Sequence, residues 1–165
     1  MYIVTDQDRV HLRRCVELAA EAVDAGDQPF GSVLVSTTGE VLFEDRNRTI
    51  GGDATRHPEF EIARWAAEHL SPAERAACTV YTSGEHCTMC STAHAMVGLG
   101  RIVYVSSSDQ LRTWRREMGM GGTSAISPLP INAVAPGIPV AGPDPELAAD
   151  VRLLHERWAK EYGGS

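Results

Sequence analysis

The chain has 165 residues, of which 43% are hydrophobic and 22% charged, a composition that fits one soluble domain able to bury a core. Fifteen Lys and Arg against 22 Asp and Glu give a formal net charge of −7, which disfavours a nucleic-acid partner, because such partners are met by basic surfaces. No run of about 18 apolar residues is present, so no membrane span is expected. The first residues carry neither the basic nor the apolar part of a secretory signal, so a cytoplasmic location is expected.

A single domain over residues 1–165 is expected. Residues 6–25 read as an amphipathic helix, with Asp6 as N-cap, Val10, Cys15, Leu18, Ala19 and Ala22 on one face, and Gly26 ending the run. Phe30–Val35 and Glu40–Glu44 flank the turn-like Thr37-Thr38-Gly39 and read as an antiparallel hairpin. Pro58 suits the first position of a helix running to about Leu70. Thr79–Thr82 reads as a short buried strand, Cys87–Leu99 as a helix stopped by Gly100, and Ile102–Val105 as a further strand. A polar helix follows near 108–118, where Arg112, Arg115 and Arg116 read as a solvated face. Residues 119–145 are rich in Gly and Pro, and a connection of that length is usually functional or interfacial. A last helix is expected from about Pro145 to Tyr162, with Leu147, Val151, Leu154 and Trp158 on one face. Helices alternating with strands imply an α/β fold with a largely parallel sheet covered on both faces.

Four cysteines occur, and Cys15 and Cys78 read as small buried hydrophobes. Cys87 and Cys90 form a C-x-x-C at a helix start, and His57-Pro58-Glu59 opens another helix. Zinc takes about four tetrahedral N or S donors, and a catalytic zinc keeps one place for water. His57, Cys87 and Cys90 supply three donors. The cysteines lie within one helical turn, where the helix N-terminus favours thiolates. No further Cys or His stands at a matching spacing, so the fourth position of one zinc per chain falls to water or hydroxide. Glu59 then takes the water's proton and passes it to a departing amine. Two other readings stand beside this one. The C-x-x-C is a redox pair, which has no need of His57 and Glu59, or the zinc site is structural and closed by His86.

Together these residues resemble the signature of the cytidine-deaminase-like superfamily, H-x-E followed by P-C-x-x-C. Over residues 25–105 the chain is similar to the branch that holds guanine deaminases, with cytosine deaminases and tRNA adenosine deaminases nearby. Pro29-Phe30-Gly31-Ser32-Val33 resembles that branch's P-F-G-A-V strand, Asn47 its base-binding Asn, and Glu85-His86-Cys87-Thr88-Met89-Cys90 its E-P-C-x-M-C. The resemblance implies a three-layer α/β/α fold around a central mixed, mostly parallel five-stranded sheet. It implies zinc on His57, Cys87 and Cys90, proton shuttling by Glu59, ring orientation by Asn47, and a pocket lined by backbone at 83–87. Phe30 either lines that pocket or fills core, and Asn47 has a second reading as a turn residue. His86 stands where the family has proline, and either donates into the pocket or becomes a ligand. Guanine deaminases carry an acidic residue after the last helix–strand unit and an aromatic near the tail. Glu117 and the pair Trp158 and Tyr162 are the counterparts here, with packing of the last helix as the other reading of the aromatics. A homodimer is implied by analogy.

The leading expectation is release of ammonia from a free nucleobase or related amino-heterocycle of the guanine, cytosine or amino-triazine type. A nucleoside, nucleotide or tRNA deaminase is the alternative, with Arg48 and Arg56 as partners for phosphate. A structural zinc or redox module is the non-enzymatic reading.

Overall fold

The computed structural model describes residues 3–163. Helix α1 (Asp6–Asp24) is capped by Thr5, not Asp6. Thr5 Oγ1 accepts from Asp8 N at 3.2 Å while the Asp8 carboxylate accepts from Thr5 N at 2.8 Å. This reciprocal pair needs partners three residues apart, a spacing Thr5 has with Asp8. The buried stripe of α1 runs through Asp8, Leu12, Cys15, Ala19 and Ala22. Val10 falls outside it, 55% exposed, because it lies two residues, about 200° of helix rotation, from both Asp8 and Leu12.

Five strands follow the order β2-β1-β3-β4-β5, with β1 Gly31–Val35, β2 Val41–Arg46, β3 Thr79–Gly84, β4 Arg101–Ser106 and β5 Val140–Ala141. β1 is antiparallel to both β2 and β3, whereas β3–β4 and β4–β5 are parallel. Only β1 therefore runs against the other four, and the sheet is mixed and mostly parallel. The central strands β1, β3 and β4 are buried almost throughout, as strands covered on both faces must be.

Strand alternation splits β1 between two cores. Val33 and Val35 join Leu12, Cys15, Val103 and Val151 under α1 and α7 (Pro145–Tyr162). Leu34 joins Ile62, Ala66 and Val80 under α2 (Pro58–His69) and α4 (Thr88–Val97). The three layers expected for the fold are these two helix layers and the sheet between them. The polar helix α5 (Ser108–Glu117) adds Trp114 to the first core. Its Arg112 and Arg116 are exposed, while Arg115 turns inward and donates to Gln28 Oε1 at 2.7 Å.

Helix α4 ends at Gly98, whose φ of 75° is left-handed, two residues before the expected stop at Gly100. Gly100 is required for another reason. A Cβ there would lie 2.4 Å from Ala76 O and 2.6 Å from Cys78 O, so it lets β4 begin hard against α3 (Pro72–Ala77). The long connection after α5 carries a short helix, α6 (Ile131–Val134), and the two-residue β5. No described helix is long and apolar enough to cross a membrane.

Candidate active site

Two helix N-termini converge at the edge of the sheet where β2, β3 and β4 end and β1 begins. His57 is the N-cap of α2, held extended by Pro58 at the first helical position. Cys87 is the N-cap of α4, and its Sγ accepts from Cys90 N at 3.5 Å. His57 Nδ1 lies 3.6 Å from Cys87 Sγ and 3.6 Å from Cys90 Sγ. With Zn–S near 2.3 Å and Zn–N near 2.0–2.1 Å, tetrahedral angles set an N···S separation of about 3.6 Å. The three donors therefore fit a zinc ion. They are the only group of three such side chains close enough for a metal among the described residues.

The thiols are primed unequally. The hydrogen bond from the Cys90 side chain pulls Cys87 down to about 4, against its burial and with help from His57. The same contact, together with burial and the charge of Glu59, pushes Cys90 up. One thiolate is thus favoured even without a cation, and a bound cation would favour both. The His57 ring is raised, first by its contact with Cys87.

Glu59 stands in the first turn of α2, 5% exposed. It is not a member of the donor group. Its Oε1 accepts from Thr82 Oγ1 at 2.8 Å and lies 3.1 Å from Ser32 Oγ. Ser32 and Thr82 are cross-strand partners in the β1–β3 ladder, and on the same face as Leu34 and Val80 they point at α2. Two buried hydroxyls on neighbouring strands are thus used to aim one carboxylate. Burial pushes that carboxyl above its ordinary value, partly offset by the nearby His57 and by the Thr82 hydrogen bond.

The remaining candidates are distributed around this centre. Asn47 is 3% exposed; its Oδ1 accepts from Thr49 N and Thr49 Oγ1, and its backbone N donates to Phe30 O. The turn reading of Asn47 is therefore realised through its carbonyl, which turns its amide NH2 group toward other use. Phe30 is half-buried beside the turn that leads to Cys87. Its ring is 3.1 Å from where a Gly84 Cβ would stand and edge-on to His155 at 5.3 Å. His86 is 1% exposed, stacks edge-on against His94 at 5.3 Å, and has no partner for either ring nitrogen. It is not part of the donor group, and burial pulls its ring well below the ordinary histidine value. Glu117 ends α5 in a half-exposed ion pair with Arg152 at 3.0 Å. Tyr162 lies over Gly26, 3.7 Å from its Cβ position, and Trp158 Nε1 donates to Gly26 O at 3.1 Å. Arg48 and Arg56 are each paired with a carboxylate, Asp45 at 2.9 Å and Glu61 at 3.3 Å.

Sequence reasoning gave no side-chain role to Ser32, Thr82 or Glu85, although Ser32 and Glu85 lie within the motifs that carry the resemblance. A hydroxyl within the otherwise apolar β1 was the available signal for Ser32, whereas Thr82 lies in the mixed run Thr79-Val80-Tyr81-Thr82-Ser83, and both point to a site only once the register is known.

Comparison with known proteins agrees with this geometry. Residues 5–106 match the family model described as the cytidine and deoxycytidylate deaminase zinc-binding region. The chain is 32% identical over 108 residues to a probable cytosine deaminase of Schizosaccharomyces pombe, covering 66% of this chain and 65% of that protein. It is 35% identical over 102 residues to a tRNA-specific adenosine deaminase of Agrobacterium fabrum, covering 59% and 64%. The chain thus spans just under two thirds of the length of these two curated relatives. A solved guanine deaminase from Nitrosomonas europaea shares the fold with a TM-score of 0.69 at 22% identity, covering 96% of this chain and 87% of that one. The chain belongs to the cytidine and deoxycytidylate deaminase zinc-binding family.

Proposed function

We propose that the protein is a zinc-dependent hydrolytic deaminase of a free nucleobase or a closely related amino-heterocycle, with zinc held by His57, Cys87 and Cys90. The observation that carries this reading is the placement of Glu59. A buried carboxylate sits beside three metal donors, is left out of their group, and is held by two hydroxyls. A structural zinc site has no use for such a group, and a redox dithiol has no use for His57.

Zinc at these donors supplies a Lewis acid and brings water toward ionisation near neutral pH. Glu59 accepts the water's proton on its carboxylate and returns it to the exocyclic amine; the water's oxygen bonds to the ring carbon that bears the amine, the C–N bond breaks, and ammonia leaves. Thr82 and Ser32 hold Oε1 so that the carboxylate does not swing between these two tasks. Asn47 offers its amide NH2 to a ring acceptor, and the Phe30 ring borders the substrate plane. His86, packed on His94, shapes the turn ahead of Cys87 and is not a ligand.

The net charge of −7 and the committed Arg48 and Arg56 favour an uncharged base over a phosphate-bearing or RNA substrate. Met96 in the last turn of α4 and Ile126, 82% and 47% exposed, line one shallow apolar hollow with Phe60 and Met89 and support association as a homodimer. The test is ammonia release by zinc-verified protein from guanine, cytosine, adenine, an amino-triazine, guanosine, cytidine and adenosine. Release from a free base with none from the nucleosides is expected. Release from nucleosides only, or none from the whole panel with zinc bound, overturns the reading.

A further inference from the structure

One carboxylate ties the metal turn to the segment that borders it. Glu85 lies between β3 and Cys87, and its own N donates to Ser106 O at 2.8 Å. Its Oε2 accepts from Ser108 N at 2.8 Å, the first residue of α5. Its Oε1 accepts from Ile131 N at 3.0 Å, the first residue of α6. Helix N-termini leave such amides without intrahelical partners. α6 has no side-chain cap of its own, since its N-cap is Pro130. Both ends of the 108–131 segment are therefore fastened to the same side chain, two residues before a metal donor.

The middle of that segment lies against the site. Thr88 Oγ1, next to Cys87, donates to Ser127 O at 2.5 Å. Ile126 shares a shallow apolar hollow with Phe60 and Met89, the neighbours of Glu59 and Cys90 in the chain. A strap that begins and ends at Glu85 and touches down on the first turn of α4 borders the approach to the zinc donors.

We propose that Glu85 is a positioning residue: its two carboxylate oxygens hold the feet of the 108–131 strap, and the strap sets how tightly the amino-heterocycle is held. The functional half of this inference rests on the deaminase reading; the anchoring half does not. Only a carboxylate accepts at both oxygens. Glutamine keeps the length but turns an NH2 toward one of the two amides, so Glu85→Gln releases one foot.

The test compares wild type, Glu85→Gln and Glu85→Asp as full-length zinc-loaded protein, by amide hydrogen exchange, zinc content and steady-state kinetics on the free base that the wild type turns over fastest. Faster exchange in Glu85→Gln at Ser108 or Ile131 and across 119–130 is expected, with zinc retained. KM should rise about 10-fold while kcat stays within about threefold, the scale of one lost hydrogen bond to a charged group. Glu85→Asp keeps both acceptors and should recover part of the KM. Unchanged exchange overturns the anchor. Faster exchange with unchanged KM, or a fall in kcat that tracks zinc loss, overturns the role in substrate holding. Should the wild type release ammonia from nothing, the deaminase reading fails, and exchange still decides the anchor.

Discussion

Thr82→Val isolates what the structure asks of Glu59. Valine matches threonine in shape, and Thr82 is fully buried, so the substitution removes a hydroxyl with little change in packing. That hydroxyl donates to Glu59 Oε1 at 2.8 Å, lies 2.8 Å from Ser32 Oγ, and is 3.0 Å from Gly84 O. A hydrogen bond to a charged group is worth about 1.5–3 kcal/mol. Loss of the bond should therefore lower kcat by roughly 10- to 100-fold if the carboxylate must be held in one place to move a proton twice. Folding stability should fall by about 1–2 kcal/mol, because Ser32 and Gly84 lose a neighbour while Glu59 keeps Ser32. Zinc content should not change, since Thr82 contributes no donor. Ammonia release, metal content and thermal unfolding on one preparation read all three, and Thr82→Ser, which restores the hydroxyl, should recover most of the rate. A rate within twofold of wild type would refute the claim that Thr82 aims the proton carrier. Loss of zinc in step with the rate would refute the separation of Glu59 from the donors.

Three further outcomes follow from other parts of the molecule. Gly100→Ala drives a Cβ to 2.4 Å from Ala76 O; both atoms are tied to backbone, so unfolding by denaturant should show a loss of about 1–3 kcal/mol. Asp8 is 2% exposed and its carboxyl is held down at about 2: burial raises it, but Arg101, Thr5 and Tyr81 outweigh burial. A depressed carboxylate gives stability that is present above its unfolded value and lost as pH falls. Asp8→Asn should therefore remove about 1–2 kcal/mol of the acid dependence between about pH 4 and pH 2, read by unfolding at each pH. Stripping the metal with a chelator should lower the melting temperature and speed hydrogen exchange at the start of α4, because a metal on His57, Cys87 and Cys90 would join the N-termini of α2 and α4; an unchanged melting temperature would show that these residues hold no metal.

The legible parts of the fold were those marked by local chemistry. Pro58 and Pro145 announce the starts of α2 and α7, and the apolar runs of β1, β3 and β4 are visible as runs. β5 was not legible, because Val140–Ala141 becomes a strand only by pairing with Ile102 and Val103, a contact made across some forty residues of chain. α3 was missed although Ser71 and Glu74 form a capping box around Pro72; six residues are too few for a periodic apolar face. The two corrections around Gly98 and Gly100 share one cause. Two glycines separated by one residue look alike in sequence, and only the folded backbone separates the residue that needs a left-handed φ from the one that needs no Cβ.

The site divides along the same line. His57, Glu59, Cys87 and Cys90 were legible because a metal constrains donor type and helical spacing, and both are written locally. Ser32 and Thr82 depend on strand register, and Glu85 acquires its role from two amides that are 23 and 46 residues away. Glu117 shows the converse: an acidic residue in a plausible segment, which the fold pairs with Arg152 at the surface.

The most direct test is Glu59→Gln, measured for zinc per chain and for ammonia release beside the wild type. The account predicts unchanged zinc with turnover reduced by about 10²–10⁴-fold. Turnover retained in the variant, or zinc lost with it, would contradict the placement of Glu59 as the proton carrier outside the metal's donors.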